Sequence, residues 1–253
     1  MTARKTIIDK QPEDLVRNLG HGVNAECFLT SEGRVFKRFF KPWSSQVDIQ
    51  QMELLGGERS ELFVFPEELL IQIRENKEYL IGYMMKYVDG KMVSELDRTV
   101  KVREFVKALS DFEKELFNLS MHGVLMVDIN LMYSRLGKII AIDTDLFEIS
   151  YEDESYILRE NVKDLASLII YRIIQVNSFK QSKLNEYVVR TGAEGRMRPS
   201  YLIDEITKSI EEATGETIRL TNNQSEEMTA RRSQLAQNYA RINNVTIEEA
   251  TKR

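Results

Sequence analysis

The apolar residues of this chain change period near Gly90, and that change constrains the fold more than any single motif. Ahead of it the pattern is that of strands. "AECFLT" and "RVFKRFF" flank "SEGR", in which Gly33 can take the positive φ of a hairpin turn. "ELLIQIRENKEYLIGYMMKYV" reads as a second hairpin turned at "RENKE". Between the hairpins, Gln46 to Leu55 carries Val47, Met52, Leu54 and Leu55, the pattern of one short helix ending at Gly56-Gly57.

Behind Gly90, Val102, Phe105, Val106, Leu109, Phe112 and Leu116 recur at helical spacing, which predicts a long amphipathic helix over 99–121. A short strand-like patch, "GKIIAI", follows at 137–142. "VKDLASLIIYRIIQV" at 162–176 is apolar nearly all round, as a helix at a domain centre would be. Leu202, Ile203, Ile206 and Ile210 mark another helix. Beyond about 213 the chain turns polar, with Met228, Leu235, Tyr239 and Ile242 as the one thin apolar stripe of a C-terminal helix. A strand-rich part to about 87 and a helix-rich part after it make an α+β protein, and a cleft between two such parts is a common ligand site.

Composition narrows the functional classes. With 253 residues, 42% hydrophobic and 30% charged, and a net charge of −5, the chain reads as a globular protein without a polyanion-binding surface. Nucleic acid is therefore not the expected partner. Cys27 is the single cysteine, so no internal disulfide can form, which fits a reducing cytoplasm. "MTARKTIIDKQPEDL" has a basic start without an apolar stretch behind it, and "LASLIIYRII" is too short to span a bilayer. A cytoplasmic protein without a membrane span is the expectation.

Phosphoryl transfer needs positioning more than covalent chemistry, and its parts can be sought one by one. Gly20-His21-Gly22-Val23-Asn24-Ala25 can let backbone approach phosphates, with Ala25 where a third glycine often stands. Alone, the same stretch reads equally well as an ordinary hairpin turn. Lys37 in "VFKRF" puts an ammonium on the strand face shared by Val35 and Phe39, with Phe36 on the other, or is a surface lysine on an edge strand. Its carboxylate partner is expected on the following helix: Glu53, with Asp48 and Glu58 as rivals, or else these form a solvated helix face. Asp128 and Asp143 flank a predicted hairpin in "VDINLMYSRLGKIIAIDTD", so one can meet a substrate hydroxyl while the other holds Mg²⁺. Asp145 is a further candidate ligand, or Asp143 and Asp145 merely cap a turn.

This order (glycine loop, Lys37, helix with Glu53, "YMMKYVDG", "VDINLMY", "IDTD", "KDLASLIIYRII") resembles the protein-kinase-like superfamily over roughly 15–212. It is most similar to compact bacterial kinase-like domains with an Asp-x-Asp metal motif. The resemblance implies a bilobal fold with an antiparallel five-stranded N-lobe at 15–87 and a helical C-lobe at 88–212. An extension at 1–14 would precede them and a helical tail at 213–253 would follow. It implies ATP in the cleft with Mg²⁺ or Mn²⁺, Met85 as gatekeeper, and Lys86, Tyr87 and Val88 as the hinge against adenine. Asp128 matches the catalytic aspartate, Asp143 the metal-binding one, and Asp164 the one that anchors the catalytic loop. "RPSYLIDEI" at 198–206 matches the Arg-containing segment near the fold's end.

The departures bear on activity. Met126-Val127 stand where His-Arg is usual, and Tyr133 stands where the second-metal Asn is expected, leaving Asn130 or Asp145 to compensate. Only a short stretch separates Asp143 from Asp164, without an Ala-Pro-Glu segment or a full peptide-docking platform. The resemblance thus implies a phosphotransferase acting on protein Ser/Thr hydroxyls, on itself or on a small molecule. The alternative is a pseudokinase serving as an interaction module.

Overall fold

The computed structural model describes residues 2–8, 12, 14–42, 48–96, 100–169, 198–215 and 217. The first part is built on a six-stranded sheet: β1 (Arg4–Ile7), β2 (Leu15–His21), β3 (Ala25–Thr30), β4 (Arg34–Phe39), β5 (Glu68–Arg74) and β6 (Lys77–Lys86), in the order β1-β5-β6-β4-β3-β2. Five of these strands pair antiparallel, as expected. The sixth, β1, is an addition that runs parallel to β5 from Arg4 opposite Glu68 to Ile7 opposite Ile71. Its four residues are too few to show a strand period, so the expected five-stranded sheet is corrected to six.

Local chemistry accounts for the turns. The β5–β6 hairpin closes on Glu75 (φ 51°) and Asn76 (φ 61°), the left-handed pair that a tight two-residue turn requires. β6 then runs so close to β4 that a Cβ on Gly82 would lie 2.1 Å from the Lys37 carbonyl oxygen. Only glycine permits that approach beside the lysine. The short helix α1 (Ile49–Leu55) starts on Asp48, whose side chain accepts from the amides of Gln50 and Gln51, and buries Met52 and Leu55. Gln46 and Val47, included in the expected helix, lie outside the described residues.

The second part opens with β7 (Gly90–Met92) and the amphipathic helix α2 (Val102–Met121), close to its predicted span. β8 (Val124–Leu125), β9 (Asn130–Ser134), β10 (Ile139–Ile142) and β11 (Glu148–Ile149) follow. They form a three-stranded sheet β10-β9-β7 and a two-stranded sheet β11-β8. Helix α3 (Glu154–Ile169) begins eight residues ahead of the expected 162, behind Asp153, whose carboxylate accepts from the Ser155 amide at 2.9 Å. Its buried residues Ile157, Asn161, Leu165 and Ile169 form one stripe, while Lys163 and Asp164 face out. The described portion is therefore one-faced rather than apolar all round; residues 170–176 and the tail beyond 217 lie outside the described residues.

Helix α4 (Pro199–Thr214) packs on α2, whose buried Glu113 accepts from the Ser200 amide (2.8 Å) and hydroxyl (2.5 Å). That carboxylate satisfies orphan donors at the start of α4. One apolar core joins α2, through Phe105, Phe112 and Leu116, to Phe63, Leu131, Phe147, Leu165 and Ile203. A second lies under the sheet and collects Val35, Phe39, Leu69, Tyr83 and Met85 against Met52 and Ile140. Among the described residues no helix is long and apolar enough to cross a membrane.

Candidate functional site

Lys37 is placed by strand alternation. Val35 and Phe39 share its face in the core beneath the sheet, while Phe36 is buried on the opposite face with Leu70 and Met84. On the same rung stand Cys27 of β3 and Tyr83 of β6, directly opposite Lys37 on either side. From this row the ammonium reaches out of the sheet to the segment that follows β10. It bonds Asp143 Oδ1 and both carboxylate oxygens of Asp145, at 2.9 and 3.0 Å.

The partner of the lysine is therefore not on α1. Glu53 pairs with Lys5 of β1 at 3.0 Å, because the added strand brings its own ammonium to that helix. Asp48 is occupied as the helix cap, and Glu58 meets His122 at 3.1 Å. All three candidates for the helix carboxylate are thus held elsewhere.

Two carboxylates on one ammonium leave the cluster one negative charge in excess. Burial works against the Lys37 charge, but Asp145 and Asp143 more than offset it and hold its pKa above the ordinary lysine value. Burial raises Asp145 against the pull of Lys37, and the neighbouring charge of Asp143 adds to the rise. Burial also pushes the Cys27 thiol up to about 11, so it is uncharged beside the lysine at neutral pH.

The β9–β10 hairpin assembles the aspartates. Asn130 opens β9 opposite Ile142, the last residue of β10. Asp128, two residues before Asn130, and Asp143, one after Ile142, therefore lie at the same end of the hairpin. Both have left-handed backbone, with φ of 53° and 64°. Besides the Glu75-Asn76 turn they are the only non-glycine residues with positive φ among the described residues. Such conformations cost free energy at Asp, and they gather where side chains are aimed rather than packed.

The loop before Asp128 is anchored by a residue that the sequence does not single out. Asn161 of α3, fully buried, accepts from the Met126 amide (2.8 Å). It donates to the Val124 carbonyl (2.8 Å) and the Ser120 hydroxyl (2.9 Å). Asp164, expected in this role, lies on the outer face of the same helix, where partial burial raises its pKa. Behind Asp143, the buried Thr144 hydroxyl donates to the Val64 carbonyl (2.8 Å), and Phe147 is packed into the core with Phe63.

Tyr133 lies inside β9, opposite Lys91 and Ile139, with its ring against Phe105. Its ring is thus part of the packing between β9 and α2. Asn130 is the amide at the strand's open end, where its Nδ2 donates to the Asp128 carbonyl at 3.3 Å.

On the glycine side, Gly20 (φ 143°) sits at a register shift in β2, and Gly22 donates to the Ala25 carbonyl at 2.8 Å to close the turn. A Cβ on Gly20 would meet no heavy atom within 4 Å. Met85 lies opposite Val35 and Lys86 opposite Arg34 at the end of β6. Ala25, Val35, Met85, Val88 and Ile140 are buried in the core beneath the sheet, with Met132 and Ile142 partly buried against them. Among the described residues no three His, Cys, Asp or Glu side chains gather as a metal cage. Asp143 and Asp145 converge on one cation position, occupied by the lysine ammonium. Neither protein-family models nor curated proteins yield a match to this chain.

Proposed function

We propose that this chain is an ATP-dependent phosphotransferase of the protein-kinase-like type, acting on protein Ser/Thr hydroxyls or on itself. The observation that carries the reading is the convergence of Lys37 with Asp143 and Asp145 at the open end of the hairpin that also bears Asp128 and Asn130. The strand order β2-β3-β4-β6-β5, with α1 inserted between β4 and β5, supports a bilobal kinase-like arrangement.

In this reading adenine packs against the edge of the core formed by Ala25, Val35, Met85 and Met132, next to the backbone of Lys86, Tyr87 and Val88. The Gly20–Ala25 turn offers backbone amides to the phosphates, and the Lys37 ammonium binds the α/β-phosphates. Asp128 is exposed and receives the acceptor hydroxyl, aligning it and taking its proton as the new P–O bond forms and the γ-phosphoryl leaves the β,γ-bridging oxygen, releasing ADP. The donor set suits a hard divalent cation: the cluster carries one uncompensated negative charge, and Asp143 and Asn130, with Asp145 behind them, offer oxygen ligands. Mg²⁺ or Mn²⁺ held there would neutralise phosphate charge.

The test is incubation with γ-labelled ATP and Mg²⁺ or Mn²⁺, comparing the wild type with Asp143→Ala. Label transfer is expected, with a loss of roughly a hundredfold or more in the variant. No transfer together with no ATP-induced thermal shift overturns the reading. A metal-dependent shift without transfer selects the alternative, a nucleotide-binding pseudokinase.

A further inference from the structure

The two aspartates that meet Lys37 are not equivalent. Asp145 has a side chain only 5% exposed and gives both oxygens to the ammonium, whereas Asp143 is 41% exposed and gives one. Asp145 rides on a short 3-10 turn fixed by the Thr144–Val64 hydrogen bond and the buried Phe147. Asp143 sits at the left-handed corner before it. The Lys37 side chain is itself only 12% exposed, so it needs a permanent counter-charge, because an unpaired ammonium in such a position is costly.

A second oddity adjoins this pair. Tyr83 is fully buried on the rung of Lys37, with its ring centroid 5.7 Å from the ammonium. Its hydroxyl makes no hydrogen bond of good geometry, although the Asp145 carboxylate lies beside it and its charge and that of Asp143 act on it. A buried phenol that only packed would be better replaced by phenylalanine. A phenol O–H beside a carboxylate can instead donate to it once the ammonium moves toward phosphate.

We infer that Asp145 is the resident counter-ion of Lys37, the part the helix carboxylate was expected to play, and that Tyr83 is the positioning residue that holds Asp145 when the lysine engages a ligand. Asp143 is left as the carboxylate that would hold a metal ion. The assignment rests on the phosphotransferase reading for its ligand but not for its charge pairing, so the two can fail separately.

The experiment has a ligand-free arm and a nucleotide arm. In thermal unfolding without ligand, Asp145→Asn should lower the midpoint by roughly 10 °C and Asp143→Asn by less than about 3 °C. Tyr83→Phe should fold with a midpoint unchanged or slightly raised, because its hydroxyl has no bond to lose while Lys37 holds Asp145. Should Asp145→Asn fail to fold while Asp143→Asn folds, the inequality of the two aspartates is shown outright. Equal losses in the two Asp→Asn variants, or a Tyr83→Phe midpoint lowered as far as that of Asp145→Asn, overturns the assignment.

In the second arm, ATP affinity is measured in EDTA and then with Mn²⁺. Tyr83→Phe should weaken the metal-free affinity about threefold and leave the further gain on adding Mn²⁺ unchanged. Asp143→Asn should instead abolish that gain. The reverse pattern overturns the assignment. Absence of any ATP binding in the wild type defeats the phosphotransferase reading, while the unfolding arm still judges the charge pairing.

Discussion

The glycine hairpin and the aspartate hairpin meet at Lys37, yet they are held in opposite ways. β2 is an edge strand whose residues from Val16 to His21 are exposed, and Gly20 is surrounded by open space. The aspartate side is tied from three directions, by Asn161 on α3, by the Thr144 bond to Val64 and by Phe147 in the core. On the proposed reading, the groups that would aim at reacting atoms stand on buried scaffold, and the turn that would close over a ligand is the exposed one. The lysine, on a central strand, couples the two.

Asn161→Ala should break the contrast most severely. It strips partners from the Met126 amide, the Val124 carbonyl and the Ser120 hydroxyl, all within the core, and should cost about 3 kcal/mol in urea unfolding. A loss under about 1 kcal/mol would mean that the loop before Asp128 is not anchored there.

A gentler probe is the Glu113–Ser200 cap. Burial raises the Glu113 pKa although bonds from Ser200 oppose it. With its folded value above the unfolded one, Glu113 contributes fully at pH below the unfolded value and loses that contribution as pH rises through the folded value. The midpoint of the wild type relative to Glu113→Gln should therefore fall as pH rises above the ordinary glutamate value of about 4. A rising difference would show that the helical platform does not respond as its burial dictates.

The smallest effect on stability belongs to Gly20→Ala. No atom would clash, so only the left-handed strain remains, about 1 kcal/mol by thermal unfolding. ATP affinity should nonetheless drop severalfold if that backbone approaches phosphate. Unchanged affinity would remove the glycine turn from the site.

How much of this was legible follows from the range of the forces involved. The hairpins were readable because alternation and turn residues act locally, and the side of the strand taken by Lys37 follows from the same alternation. The joint placement of Asp128 and Asp143 was readable from the hairpin between them. The partner of Lys37 was not, since it depends on Lys5 arriving from β1 to take Glu53. Asn161 was equally hidden. A neutral amide within "ESYILREN" reads as helix surface, and only the packing of α3 under the loop turns it into a hub. Asp164 was expected there from the resemblance alone, and its charge favours the outer face of α3, where it lies.

The parallel strand β1 has a consequence for the order in which the molecule is put together. Its hydrogen-bonding partners are Glu68 to Ile71, and Lys5 also needs Glu53 and Glu78. During synthesis it must wait, unpaired, until α1 and the β5–β6 hairpin have emerged. Docking of β1 is thus a late event, and its long loop closure makes it a slow step in completing the sheet.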